Sequence, residues 1–225
     1  MNQKDKKNSI KRPLVFMPEN EPYLGLKSVF WFDRLICWAL EGNTKVAKWT
    51  IDHRSSMTQL QLAACQIIPQ GISIALSIRE LIRQGYLFSA MILIRPLIER
   101  AAVISYLDLH PDAVTLWENG WKHGERPPLA TMMNEMSGRS SKEEAQKICS
   151  EHNHIVHGDP LSCCHNMIHL NDGSIGYASG KILNNHELCD GIAMEAQCYL
   201  IVLAGRMSRI FSDVDIPQMP KEDKA

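Results

Sequence analysis

The chain has 225 residues, 45% of them apolar and 22% charged, with a formal net charge of −1. That length and balance suit one large domain with a real core, and they exclude a global basic field drawing the molecule onto nucleic acid or an acidic membrane. Seven cysteines, an odd number with no apolar export segment behind the N-terminal charges, read as reduced thiols of a cytoplasmic protein rather than a disulfide framework.

Residues 1–22 read as a flexible arm, basic at Lys4, Lys6, Lys7, Lys11 and Arg12, then proline-rich at Pro13, Pro18 and Pro22. Residues 23–40 carry Val29, Phe30, Leu35, Ile36 and Ala39 at helical spacing, and Gly42-Asn43 is the expected stop. Residues 55–78 hold no charge and are long enough to span a bilayer. Gln59, Gln61, Gln66, Gln70, Ser73 and Ser77 argue against it, because amides in hydrocarbon need partners. The segment predicts a helix with the stripe Leu60, Ala64, Ile67, Gly71, Ile74, Ile78 and Leu81, bent at Pro69. Its amide and hydroxyl face predicts packing against protein, either in the interior or at a subunit interface.

Residues 86–109 predict a helix bent at Pro96, with Arg95 and Glu99 at i and i+4 among apolar neighbours. His110-Pro111-Asp112 opens a short helix through Trp117 towards Trp121, and 129–136 a further helical piece. Ser140-x-x-Glu143 caps a helix running to His157, stopped by Gly158-Asp159-Pro160. Its expected buried face is Ala145, Ile148, Cys149, His152, Ile155 and Val156. Residues 166–170 and 174–178 flank Asn171-Asp172-Gly173 as a small β-hairpin. Asn184-x-x-Glu187 caps a last helix with the stripe Leu188, Ile192, Ala196, Tyr199, Leu203, Met207 and Ile210. The expected fold is all-α: a helical bundle over residues 23–211 with one hairpin insertion, followed by a polar tail, 212–225.

No phosphate-cradling glycine loop, dinucleotide pattern, Gly-x-Ser-x-Gly elbow or His-Glu-x-x-His helix is present in the sequence. The segment that stands out is Cys149-Ser150-Glu151-His152-Asn153-His154-Ile155-Val156-His157-Gly158-Asp159-Pro160. Here, over roughly residues 55–211, the chain resembles the HEPN superfamily of helical-bundle proteins. Leu93-Ile94-Arg95-Pro96-Leu97-Ile98-Glu99 and the helix-ending His-Gly are also similar to a large uncharacterised bacterial helical family. Many HEPN proteins are metal-independent ribonucleases that act as dimers in bacterial phage defence and toxin–antitoxin systems. They work through an arginine, often followed by a polar residue, and a histidine after four to six intervening residues. His157 matches that histidine and Asn153 the polar neighbour, whereas His152 stands where the arginine belongs.

The resemblance implies a homodimer that cleaves RNA with His157 as general acid or base, assisted by Asn153, without cofactor or metal. A neutral histidine binds phosphate poorly, so Arg95, paired with Glu99, is the candidate phosphate clamp in place of the missing arginine. His157 falls in the last helical turn, where the dipole favours the protonated ring. Structural readings stand beside these. His157 can be a helix-end capping group, Arg95 and Glu99 a structural ion pair, and His152 a satisfied core histidine. Trp31, Trp117 and Trp121 read as core or interface anchors, and Met132, Met133 and Met136 as core filler. His154, His157, Cys163, Cys164, His165, His169, His186 and Cys189 mix zinc-type donors, but no Cys-x-x-Cys pair organises them. An antitoxin is the possible partner of the nuclease; the rival reading is a non-catalytic helical module that binds a protein partner. A nuclease site predicts a positive cleft around His157; a silent module predicts that this histidine is buried.

Overall fold

A computed structural model of the chain describes residues 21–122, 124–137, 141–169, 172–177 and 179–221; the basic arm up to residue 20 and the Ser140 cap lie outside them. Its α-helices in chain order are α1 (Lys27–His53), α2 (Gln59–Gln84), α3 (Leu87–Ile92), α4 (Ile94–Leu109), α5 (Ala113–Glu118), α6 (Leu129–Ser137), α7 (Lys142–His157) and α8 (His186–Ile210). The protein is an all-α helical bundle. Helices α1, α2 and α4 each pack on α8, and α2 also packs on α1 and α4. Helix α6 covers α4, and α7 lies over α3, α4 and α6. The inserted hairpin forms: β1 (Met167–His169) pairs antiparallel with β2 (Ile175–Tyr177), Ile168 opposite Gly176. Asp172 sets its turn, accepting hydrogen bonds from the Ser174 backbone at 2.9 Å and hydroxyl at 2.6 Å.

Helix α1 does not stop at Gly42, as the local sequence suggests, but continues to His53. Gly42 is buried because a Cβ there would sit 2.6 Å from Cε of Met207 and 3.2 Å from Ile216. Its glycine admits α8 and the C-terminal segment rather than ending the helix. That segment lies along α1: Trp38 Nε1 donates to the Pro217 carbonyl at 2.7 Å, and Lys45 to that of Asp215 at 2.8 Å.

Thr58 and Gln61 open α2 with a reciprocal capping box. The helix runs through Pro69 and closes at Gly85 in a left-handed turn, φ 82°. Its buried face, Ala63, Ala64, Ile67, Ile68, Gly71, Ile72, Ala75, Ile78 and Ile82, is broader than the expected stripe. Gln66, Gln70, Ser73 and Ser77 are exposed, so the amide face is not interior to this chain. The bend expected at Pro96 is a full break. Proline has no N–H to give the Ile92 carbonyl, and the helix divides at Leu93 into α3 and α4. The caps of α7 and α8 each fall one residue later than the sequence suggests: Ser141 accepts from Glu144 and Asn185 from Leu188. Two helices, α2 and α8, are long and apolar enough to cross a membrane, and 44% and 50% of their most apolar stretches are buried inside the bundle.

Candidate functional site

Helical spacing on α7 turns Cys149, His152 and Ile155 inward and leaves Glu151 and Val156 outside. Gly158 ends the helix in the left-handed region, φ 67°, its N–H donating to the His154 carbonyl. The chain then folds back through a 3-10 turn, Pro160–Asn166, which carries the buried Ser162 and the half-buried His165. On α8, residues 187, 188, 191, 192 and 195 recur at helical steps and face α7. Between these elements lies an open cleft of about 710 Å³, with Met91 of α3 also on its wall.

At its centre His152, 5% exposed, places Nε2 2.7 Å from Oε1 of Glu195. Nδ1 of the same ring is buried with no hydrogen-bond partner. The Glu195 side chain is 36% exposed, so the carboxylate is the half of the pair that meets solvent. Glu151, Glu187, His154 and His165 add to the polar wall with Ser162 and Asn185, and among the described residues it has no lysine or arginine. His154 is held at both nitrogens, Nε2 3.2 Å from the Ser150 hydroxyl and Nδ1 3.0 Å from the Asp159 carboxylate. Burial holds the His165 ring below the usual imidazole value, and the charge of nearby His152 lowers it further. Burial, reinforced by Glu195, raises the Tyr199 phenol.

A group whose folded pKa is depressed destabilises the fold when it takes a proton. The His165 contribution is therefore present above the ordinary imidazole pKa and is lost as pH falls through the folded value. A proton-detected histidine titration should place the His165 midpoint below the ordinary imidazole value. His152→Gln should recover only the smaller part of the difference, because burial is the larger cause. A His165 midpoint at or above the ordinary imidazole value would contradict this packing.

His157 and Asn153 are both exposed, one turn apart on the same face of α7, and neither lines the cleft. Helix α4 does touch α7, but Arg95 lies 3.7 Å from Glu99 on its own helix and does not line the cleft either. Neither expectation for His157 is met: the histidine is not buried, and the cleft beside its helix is acidic. His152 is the buried histidine foreseen on the apolar face, with one nitrogen satisfied and one not. Among the described residues no three histidine, cysteine, aspartate or glutamate side chains come together to hold a metal. Cys189, one of the zinc-type donors, is buried in the core with its thiol pushed up to about 12 by burial. Glu195, the residue that sequence reasoning passed over, carried one signal: it falls three residues after Ile192 and four before Tyr199, a carboxylate inside an apolar stripe. No protein-family model, curated protein or solved structure matches this chain.

Proposed function

We propose that this chain is a helical ligand-binding protein whose site is the α7–α8 cleft, with Glu195 meeting the ligand and His152 orienting it. The observation that carries the reading is the 2.7 Å His152–Glu195 contact inside an open cleft whose wall, among the described residues, has three glutamates and no lysine or arginine. An Nε2–H donated to one carboxylate oxygen fixes the rotamer of Glu195 and leaves its other oxygen for a ligand. A carboxylate so held serves as counter-ion or as general base. Three glutamates line the wall, and such a lining attracts a small cation or a donor-rich polar molecule and repels a phosphodiester.

The test is a thermal-shift titration of the full chain with putrescine and agmatine, with citrate as the anionic control. The amines should raise the melting temperature and citrate should not. Glu195→Gln, which keeps an acceptor for His152, should weaken amine binding about tenfold, the scale of one charge-assisted hydrogen bond. Equal binding by the variant, or none by either amine, would sink the proposal.

A second reading has one observation in its favour. Asn153 and His157 share an exposed face where a polymer can reach them. Under it the chain is a HEPN-like, homodimeric, metal-independent endoribonuclease of a bacterial defence or toxin–antitoxin system. Induced expression should then arrest growth and fragment RNA in wild type and Glu195→Gln, but not in an equally stable His157→Ala. Arrest lost in Glu195→Gln and kept in His157→Ala points back to the cleft.

A further inference from the structure

A second cavity shares no lining residue with the α7–α8 cleft. It lies between α2, α4, α5 and the connection from α5 to α6, has a volume of about 350 Å³, and is lined by Gln70, Glu99, Arg100, Trp117, Trp121 and Arg126 among others. Its charge is unusual for a chain close to neutral. Three guanidinium groups gather around the single Glu99 carboxylate: Arg95 at 3.7 Å, Arg126 at 3.9 Å and Arg100 at 4.0 Å. All three separations exceed hydrogen-bond length, so Glu99 offsets one charge of three without satisfying the N–H groups that carry them. Arg100 Nε donates to the Gln70 amide oxygen at 2.9 Å. Arg95 Nη1 is buried with no acceptor.

The aromatic wall has the same deficit. Helix α5 ends with Gly120 N–H on the Trp117 carbonyl and Trp121 N–H on that of Leu116, both at 2.9 Å. This closing turn leaves Trp121 at φ 42°, a left-handed conformation that a bulky side chain rarely takes. The strained turn holds an indole whose Nε1–H is also buried without an acceptor. The Arg126 guanidinium lies 5.8 Å from that ring. Buried donors lacking acceptors are destabilising, and strain of this kind gathers at ligand sites. Arg95 itself does not line the cavity, but a ligand that brings acceptor oxygens to Arg100, Arg126 and the edge of the Trp121 indole, and a flat ring to Trp117, matches this lining. At 350 Å³ the cavity is near the lower end of the roughly 300–1,000 Å³ range of small-molecule pockets.

We infer that this cavity binds a small planar anion, one aromatic or heteroaromatic ring bearing a phosphate or carboxylate, through Arg100, Arg126 and the Trp117–Trp121 wall. This inference does not rest on the role proposed for Glu195.

The probe is phenyl phosphate, followed by quenching of tryptophan fluorescence in the full chain, with inorganic phosphate and phenol as half-ligands. Saturable quenching by phenyl phosphate is expected, with each half-ligand weaker by about tenfold or more. Arg126→Gln, at a half-exposed position that leaves the fold undisturbed, should weaken it about tenfold, and Arg100→Gln similarly. Trp121→Phe keeps a ring but removes the Nε1 donor and should weaken binding severalfold, with melting temperatures as the folding control. Three outcomes overturn the inference: no saturable quenching by phenyl phosphate up to ~10 mM, affinity unchanged in Arg126→Gln, or inorganic phosphate binding as well as phenyl phosphate. Glu195→Gln should leave phenyl phosphate binding unchanged, which separates this site from the cleft.

Discussion

Arg206→Met should destabilise the fold by roughly 3 kcal/mol, at the lower edge of what breaking a buried ion pair removes, read by urea denaturation at neutral pH. Asp108 on α4 keeps only 6% of its side chain exposed, and Arg206 on α8 keeps 16%. The guanidinium donates to Asp108 at 2.7 Å and to the hydroxyl of the fully buried Ser105 at 3.1 Å. The bridge therefore ties the two central helices together through a desolvated carboxylate. Among the described residues, removing the arginine leaves that carboxylate facing only Arg209, at 3.4 Å from a side chain that is mostly in water. Arg209→Met by contrast should change stability by less than about 1 kcal/mol, as for exposed pairs. The double variant Asp108→Leu/Arg206→Met should recover most of the loss, because the penalty comes from the unpaired charge rather than from the missing pair. A loss below about 1 kcal/mol for Arg206→Met would show that Arg209 takes over the carboxylate.

Leu203→Ala should remove about 2–5 kcal/mol, the range for a leucine truncated in a packed core. Leu203 is fully buried on α8, and its methyl groups lie against Gly71 of α2. A Cβ at Gly71 would collide with Leu203 Cδ1. Gly71→Ala gains helix propensity of up to about 1 kcal/mol, yet in the wild-type background it should be neutral or destabilising, since the leucine must shift to admit the methyl group. In the Leu203→Ala background the same substitution fills part of the new cavity and should be stabilising. The measurement is a double-mutant cycle of denaturation free energies, with a coupling on the order of 1 kcal/mol. Additive effects would mean that the helices separate enough at this crossing for Leu203 not to feel position 71.

Much of the fold was legible because the signals are local. Gly158 ends its helix as expected, since only a left-handed residue closes that turn cheaply. Pro96 was legible only as a bend, because the missing N–H is a property of one residue, whereas the division into two helices at Leu93 was not. The hairpin followed from Asp172-Gly173, where a side-chain acceptor and a positive-φ residue, φ 83°, adjoin. Gly42 misled for the complementary reason: nothing near it in sequence reveals that Met207 and Ile216 occupy the space of its absent side chain. The candidate site was less legible. The histidine-rich end of α7 was singled out, and His152 was assigned to the apolar face, but its partner Glu195 is 43 residues away. Arg100 of α4 meets Trp121 and Arg126 of the α5–α6 connection, and only the Arg95–Glu99 pair among these contacts is read from helical spacing.

By itself the sequence determined the helical class, the helix ends marked by local caps, and the hairpin. Period, capping chemistry and backbone freedom act over a few residues, and their energies do not depend on what packs above them. The tertiary structure alone decided which polar side chains meet: His152 with Glu195, Asp108 with Arg206, and three arginines around Glu99. Such pairings depend on the angles and registers at which helices distant in the chain cross. Those follow from the fit of the whole core, to which no single segment holds more than a part.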